Sequence, residues 1–233
     1  MKPVSRTYGG GVSHRAFKDR LYPQFARLGQ ALASEKRLEL LDLLAQAPRH
    51  VEALARETEM SVANVSQHLQ VLRNARLVET ERDGTRVLYR LATDRVLTLW
   101  LTLRSVAEAQ LPDVEHIVRE STVANVLGVP LSRDVVEGML AAGEVLLLDV
   151  RPRVEYEHGH LPGAISVPVD ELPDQLGDLP RDRPIVAYCR GAYCLFADEA
   201  VALLQAHGFE AHRLEGGWPE WQAEQRATAA RQA

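Results

Sequence analysis

The chain has 233 residues, 46% of them apolar, enough for one or two ordinary cores. Its net charge of −5 hides an asymmetry, since residues 1–110 hold 17 Lys and Arg against 12 Asp and Glu, while residues 111–233 hold 10 against 20. A basic first half beside an acidic second half points to an anionic partner, nucleic acid, for the N-terminal part only. No run of 18 or more apolar residues occurs, and MKPVSRTYGGGVSHR lacks the apolar core of a secretory signal, so a cytoplasmic protein without a membrane role is expected.

From about His14 the pattern turns helical, with Phe17, Leu21, Phe25, Leu28 and Leu32 along one face. Ser34 is a good N-cap for a second helix that buries Leu38, Leu41 and Leu44. Two shorter helices follow, one over 51–56 and one begun by Ser61 that turns Val65, Leu69 and Leu72 inward and runs to about Arg76. The few residues between them, ETEMS, give helix-turn-helix spacing. At the helical period the opposite face presents Asn64, Gln67 and Gln70, with Ser66 and His68 at its borders, and amides there can bond adenine edges.

LVETERDGTRVLYRL then alternates as two strands about Asp83-Gly84, a wing whose tip carries Arg82 and Arg86 for phosphates or a narrow minor groove. A last helix, from Thr93 to about Gln110, is apolar on several faces through Val96, Leu97, Trp100, Leu101, Leu103 and Val106. A domain this small cannot bury such a helix alone, so a homodimer is expected. With the motifs LASEKRLELLDLL and SVANVSQHLQVLRNARLVETERDGTRVLYRL, residues 18–110 resemble the ArsR/SmtB family of winged-helix repressors. The resemblance implies a double-stranded DNA operator as partner. Metal-sensing members carry cysteines in the first helix of the motif or His and acidic residues in the dimer helix; ALARETE has no Cys and the last helix no His, so no metal site is expected.

The joint over 112–129 is not Gly/Ser-rich and keeps helical stretches, including 113–121; Val129-Pro130 marks entry to a second domain, where Ser132 caps the helix DVVEGMLAAG. Next, VLLLDVRPRVEYEHGHLPGAISVPVDEL reads as a buried strand over 145–150 followed by Glu155, Gly159, His160, Pro162 and Gly163 before a short second strand. Asp149 and Arg151 sit where open parallel sheets gather functional side chains, and read first as a supporting ion pair or loop anchor. His160 in GHLPGA holds the turn by hydrogen bonding. IVAYCRGAYCLFADEAVALL, residues 185–204, is an apolar strand ending at Cys189, a short loop, then a helix, so that loop N–H groups and a helix N-terminus converge on one point. A cysteine there is expected to have a depressed pKa, whereas a lone Cys at a strand end is otherwise inert core. Both cysteines of the chain, Cys189 and Cys194, fall in this loop, which concentrates the thiol chemistry in one place. LEGGWPEW follows, and the alanine-rich tail is expected to fray.

These three stretches, in order over about 130–223, resemble the rhodanese family. The resemblance implies an α/β domain with a parallel sheet in which Cys189 takes a sulfane sulfur as a persulfide, while Arg190, Gly191, Ala192, Tyr193 and Cys194 supply the cradle. Six residues from Cys189 to Cys194 match the sulfur-transferring members; related phosphatases and arsenate reductases have a longer loop. The extra basic residue of thiosulfate users is absent, which favours a polysulfide or persulfide donor. The fold expected is therefore α/β overall: a mostly helical winged helix-turn-helix domain over 1–111, a structured linker over 112–129, a rhodanese-like domain over 130–225 and a tail over 226–233. Three functions remain open: a regulator whose Cys189 senses sulfane sulfur, an active sulfurtransferase with regulatory DNA binding, and an arsenate- or oxyanion-responsive protein. No cofactor is expected.

Overall fold

The computed structural model describes residues 13–121 and 129–232. Residues 1–12, on which the expectation of no secretory signal rests, and 122–128 of the expected linker lie outside them. Two compact units emerge, one built from Pro48–Thr93 and the chain up to Leu44, the other from Asp94 onward together with Ala45–Ala47. Among the described residues no helix is long and apolar enough to cross a membrane.

In the first unit, helix α1 (His14–Leu32) starts at Ser13, whose Oγ accepts the Ala16 N–H at 3.2 Å. Its apolar row lies on the surface of the single chain, with Phe17, Phe25 and Leu28 exposed. The core holds Leu40, Leu41 and Leu44 of α2 (Glu35–Gln46), Leu54 of α3 (Val51–Glu57) and Val65, Leu69 and Leu72 of α4 (Val62–Asn74), all buried. Leu38, expected in this core, is only half-buried, because the inward stripe of α2 runs through Leu40.

Helix α4 is capped by Ser61 Oγ on the Asn64 N–H at 3.2 Å. It ends at Asn74, two residues before the expected stop, because Arg76 takes the left-handed conformation (φ 59°). The Leu77 N–H then bonds the Leu72 carbonyl at 2.9 Å and the Arg76 N–H the Arg73 carbonyl at 2.9 Å, a Schellman closure that buries Leu77 beneath the helix end. Strands β1 (Arg49–His50), β2 (Val78–Asp83) and β3 (Arg86–Leu91) form an antiparallel sheet in the order β1-β3-β2. The hairpin pivots on Gly84-Thr85, one residue later than expected, since Asp83 still pairs with Arg86. Gly84 alone of these two has positive φ (60°), the requirement of a turn with glycine at its first central position.

The second unit opens with α5 (Asp94–Gln110) and α6 (Pro112–Ser121), then α7 (Arg133–Ala142). Ser132 occupies the N-cap of α7 with extended backbone, but its hydroxyl makes no capping bond. Four strands, β4 (Leu146–Asp149), β5 (Ile165–Ser166), β6 (Ile185–Cys189) and β7 (Ala211–Gly217), pair in parallel in the order β5-β4-β6-β7. Helices α8 (Arg153–His158), α9 (Leu172–Gln175), α10 (Phe196–Ala206) and α11 (Trp218–Gln232) complete it. Side-chain alternation divides the strand residues between two cores: Leu148, Ile185, Ala187 and Cys189 join Val201 and Leu204, whereas Leu147, Val186 and Tyr188 join Val136, Leu214 and Trp218. The backbone of the tail continues α11 to Gln232, in keeping with its run of helix-forming Ala, Arg and Gln.

Candidate functional site

All strands of the second unit run the same way, so their C-terminal ends gather Asp149 from β4, Cys189 from β6 and Gly217 from β7 at one edge. Cys189 pairs with Gly217 across a register irregularity. A side chain at position 217 would bring its Cβ to 2.4 Å from the Cys189 carbonyl oxygen and 2.5 Å from the Gly191 nitrogen, so only glycine fits against the loop. Gly191 has φ 130°, and a Cβ there would lie 2.9 Å from the Glu220 carboxylate.

Cys189 is buried and Cys194 half-buried, within hydrogen-bonding reach of each other. Cys189 Sγ donates to the Cys194 carbonyl at 3.2 Å and lies 3.8 Å from that of Gly191, while the N–H groups of Ala197 and Gly191 reach the same sulfur. Burial, reinforced by the bond to Cys194, pushes the Cys189 thiol up. This corrects the expectation of a depressed pKa at Cys189: two backbone donors do not offset the desolvation of a thiolate in the core. Cys194 is the thiol held below its ordinary range, chiefly by the hydrogen bond from Cys189 and then by the N–H groups of Arg190 and Phe196. Of the two, Cys189 therefore holds its proton more firmly and Cys194 gives its proton up more readily.

Arg190 turns away from the sulfurs, forking onto the buried Glu155 at 2.9 and 3.1 Å with its ring neighbour Phe196 5.3 Å away. Ala192 is half-buried and Tyr193 exposed on the outer side of the loop. Arg151 and Asp149 form a buried pair, with Nη2 to Oδ2 at 2.6 Å and Nε to Oδ1 at 3.0 Å, and Arg151 also donates to the Gly159 carbonyl at 2.8 Å. The Tyr188 hydroxyl donates to Asp149 at 2.5 Å and accepts the Leu161 N–H at 3.0 Å, so this ionic cluster fixes the loop after β4. His160 Nδ1–H donates to the Tyr156 carbonyl (2.9 Å), and the imidazole stacks on the Tyr156 ring. Among the described residues no group of three or more His, Cys, Asp or Glu is placed to hold a metal ion.

Sequence reasoning did not single out Glu220 or Tyr188. Glu220 accepts the Gly217 N–H at 3.1 Å and pairs with Arg104 of α5 at 3.1 Å. Its signal was present in LEGGWPEW: a glutamate three residues after the residue that starts a helix reaches back to that residue's N–H, half of a capping box. Beside the loop lies a cleft of about 510 Å³ whose walls carry five carboxylates, Glu220 and Glu108 among them, against two guanidiniums, Arg104 and Arg133.

In the first unit, Asn64, Gln67 and Gln70 are exposed on α4 opposite the buried Val65, Leu69 and Leu72; Ser66 and His68 are half-buried at the borders. Gln70 spends its amide NH2 on Asn74 Oδ1 at 2.9 Å. Arg82 and Arg86 are exposed at the wing tip, and His50 bonds Asp83 there at 3.1 Å.

A winged helix-turn-helix unit followed in the chain by a parallel α/β unit with a two-cysteine loop is the architecture of a DNA-binding regulator that carries a second, rhodanese-like domain. Residues 34–80 match the bacterial regulatory protein family arsR and residues 132–224 the rhodanese-like domain. The chain belongs to the ArsR family of helix-turn-helix transcriptional regulators and bears a C-terminal rhodanese-like domain. It is 46% identical over 207 residues to the HTH-type transcriptional regulator Rv0324 of Mycobacterium tuberculosis, covering 88% of this chain and 89% of that one. A sulfurtransferase of Allochromatium vinosum is 32% identical over 78 residues, 34% of this chain and 72% of that protein. Among solved structures, the homodimeric winged helix-turn-helix DNA-binding domain of Mb0332 from Mycobacterium bovis is 44% identical, covering 45% of this chain and 94% of that chain with a TM-score of 0.42.

Proposed function

We propose that this regulator takes its signal from sulfane sulfur, stored as a persulfide on Cys189. The observation that carries the reading is the loop itself: both cysteines of the chain lie within hydrogen-bonding reach of each other at the C-terminal edge of a parallel sheet, with the Cys189 thiol turned onto the Cys194 carbonyl, in a winged-helix protein whose helix-turn-helix has no cysteine ligands. As Cys189 Sγ attacks a terminal sulfur of a polysulfide, its proton passes to the Cys194 thiolate; the sulfur–sulfur bond of the donor breaks and the shortened polysulfide leaves with the electron pair. No external oxidant is needed. Cys194 can then attack the inner sulfur, expelling hydrosulfide and closing a disulfide. The acidic cleft beside the loop repels a dianion such as thiosulfate and favours a singly charged donor, a hydropolysulfide or a persulfide.

On the same reading the amides of α4 and the arginines of the wing meet a double-stranded operator, and the protein works as a homodimer. Leu99, Leu103 and Val106, one row of α5, are exposed on the single chain, as are Phe17 and Phe25 of α1. A second reading, an active sulfurtransferase, is favoured by the likeness to the Allochromatium vinosum protein. Intact mass spectrometry of polysulfide-treated protein, with operator binding on the same sample, separates them. A stable added sulfur that shifts affinity marks a sensor, and multiple turnovers with cyanide as acceptor and no shift mark an enzyme. Cys189→Ser should lose the loading and the shift while leaving donor-free DNA affinity unchanged; a wild-type response in that variant would refute the sensor.

A further inference from the structure

Within the second unit, helix α5 is tied to the sulfur loop by a chain of polar contacts. The Tyr193 hydroxyl donates to the Glu108 carboxylate. One turn earlier on α5, Arg104 lies 4.7 Å over the Tyr193 ring and pairs at 3.1 Å with Glu220. Glu220 in turn holds the Gly217 N–H and stands against Gly191. Arg104 is only 8% exposed, so its pair with Glu220 is packed, whereas the Tyr193–Glu108 bond lies at the surface. Burial, then Glu108, pushes the Tyr193 hydroxyl up to about 12, which keeps it a donor at neutral pH.

The loop in this form suits a thiol. Cys189 Sγ gives its proton to the Cys194 carbonyl at 3.2 Å, with the Gly191 carbonyl 3.8 Å away. An anionic persulfide has no proton to give, so the bond to the Cys194 carbonyl is lost, and the Cys194 and Gly191 carbonyls, which carry partial negative charge, lie against a sulfur that becomes part of an anion held by the Gly191 and Ala197 N–H groups alone. Loading therefore favours a turn of the 191–194 segment that takes these carbonyls off the sulfur. Tyr193 sits between the two carbonyls in sequence and cannot stay where it is when they turn.

We propose that sulfur on Cys189 unlatches α5: the loop turns, Tyr193 leaves Glu108 and Arg104, and the helix that directly follows the wing in the chain is released. This rests on the sulfur-input reading and supplies its route out of the loop. A disulfide formed by Cys194 has the same effect, since it also removes the thiol proton that the Cys194 carbonyl accepts.

Hydrogen exchange followed by mass spectrometry on the full-length protein tests it, with the intact mass recording sulfur added by inorganic polysulfide. Glu108→Ala, without any donor, should raise exchange of the 104–110 amides about five-fold, the effect of one lost hydrogen bond. Alanine is the better helix former, so faster exchange cannot come from propensity. Wild-type protein after loading should exchange like donor-free Glu108→Ala, and Cys189→Ser should stay at the unloaded rate. Unchanged exchange in donor-free Glu108→Ala, or in fully loaded wild type, overturns the latch. Absence of any mass gain in wild type overturns the underlying sulfur reading and the latch with it, and is seen in the mass channel alone.

Discussion

Among single residues, the two cysteines have opposite characters because burial pushes Cys189 up while the hydrogen bond from Cys189 holds Cys194 down. Cys194 keeps its thiolate stabilised below the ordinary thiol range of about 8.5. Alkylation by iodoacetamide should accordingly label Cys194 first, with a rate that rises as pH climbs through that lowered pKa, and Cys189 only at higher pH; peptide mapping that finds Cys189 labelled first contradicts this order of the two thiols. Arg151 makes a different point. It is fully buried and is matched by Asp149, so Arg151→Met would strand a carboxylate in the core. Breaking such a pair costs about 3–5 kcal/mol, and the denaturation midpoint of the second unit should fall accordingly. A midpoint within error of wild type would mean that Asp149 is satisfied by Tyr188 alone.

At the level of elements, the proposed operator contacts divide between α4 and the wing. The inward triplet Val65, Leu69 and Leu72 pins the rotation of α4 and so sets Asn64, Gln67 and Gln70 outward. Amide side chains can read base edges, whereas Arg82 and Arg86 at a two-residue turn reach the backbone or a narrow groove. Arg82→Ala or Arg86→Ala should weaken binding on all sequences and lower the salt slope by about one ion. Gln67→Ala should instead relax sequence choice at one position. Titrations at several salt concentrations check both; an unaltered slope in both arginine variants removes the wing from the interface. The wing turn was legible as Asp-Gly, yet the pivot fell one residue later, because the Asp83–Arg86 pair closes the ladder and leaves only Gly84-Thr85 to turn.

For the whole molecule, the apolar rows left outside on α1 and α5 are what a second copy would cover. Val106 is 53% exposed on the single chain. If the proposed homodimer uses this row, Val106→Glu should leave the fold intact yet separate the two copies, since a glutamate desolvated without a partner costs several kcal/mol. Sedimentation of the purified variant measures this, and a persisting dimer would place the interface elsewhere. Helix α5 belongs to the same compact unit as the rhodanese-like fold, although it follows the wing in sequence, which makes it the element through which loop chemistry and assembly can be coupled.

Local pattern was enough to read the helix-turn-helix, the hairpin, the buried strand before Cys189 and the glycines around it, because each depends on neighbours within a turn or a pleat: the 3.6 and 2.0 periods, an N-cap serine, a glycine where φ is positive. The same pattern brought both cysteines into one loop. It could not say which of them holds the proton, since that is set by how deeply β6 lies in the core and by which carbonyls the loop turns toward it. Nor could it join Arg190 to Glu155, Tyr188 to Asp149, or Glu220 to Arg104. Those pairs lie 35, 39 and 116 positions apart, and only the stacking of a parallel sheet with its helices brings such charges within hydrogen-bonding distance.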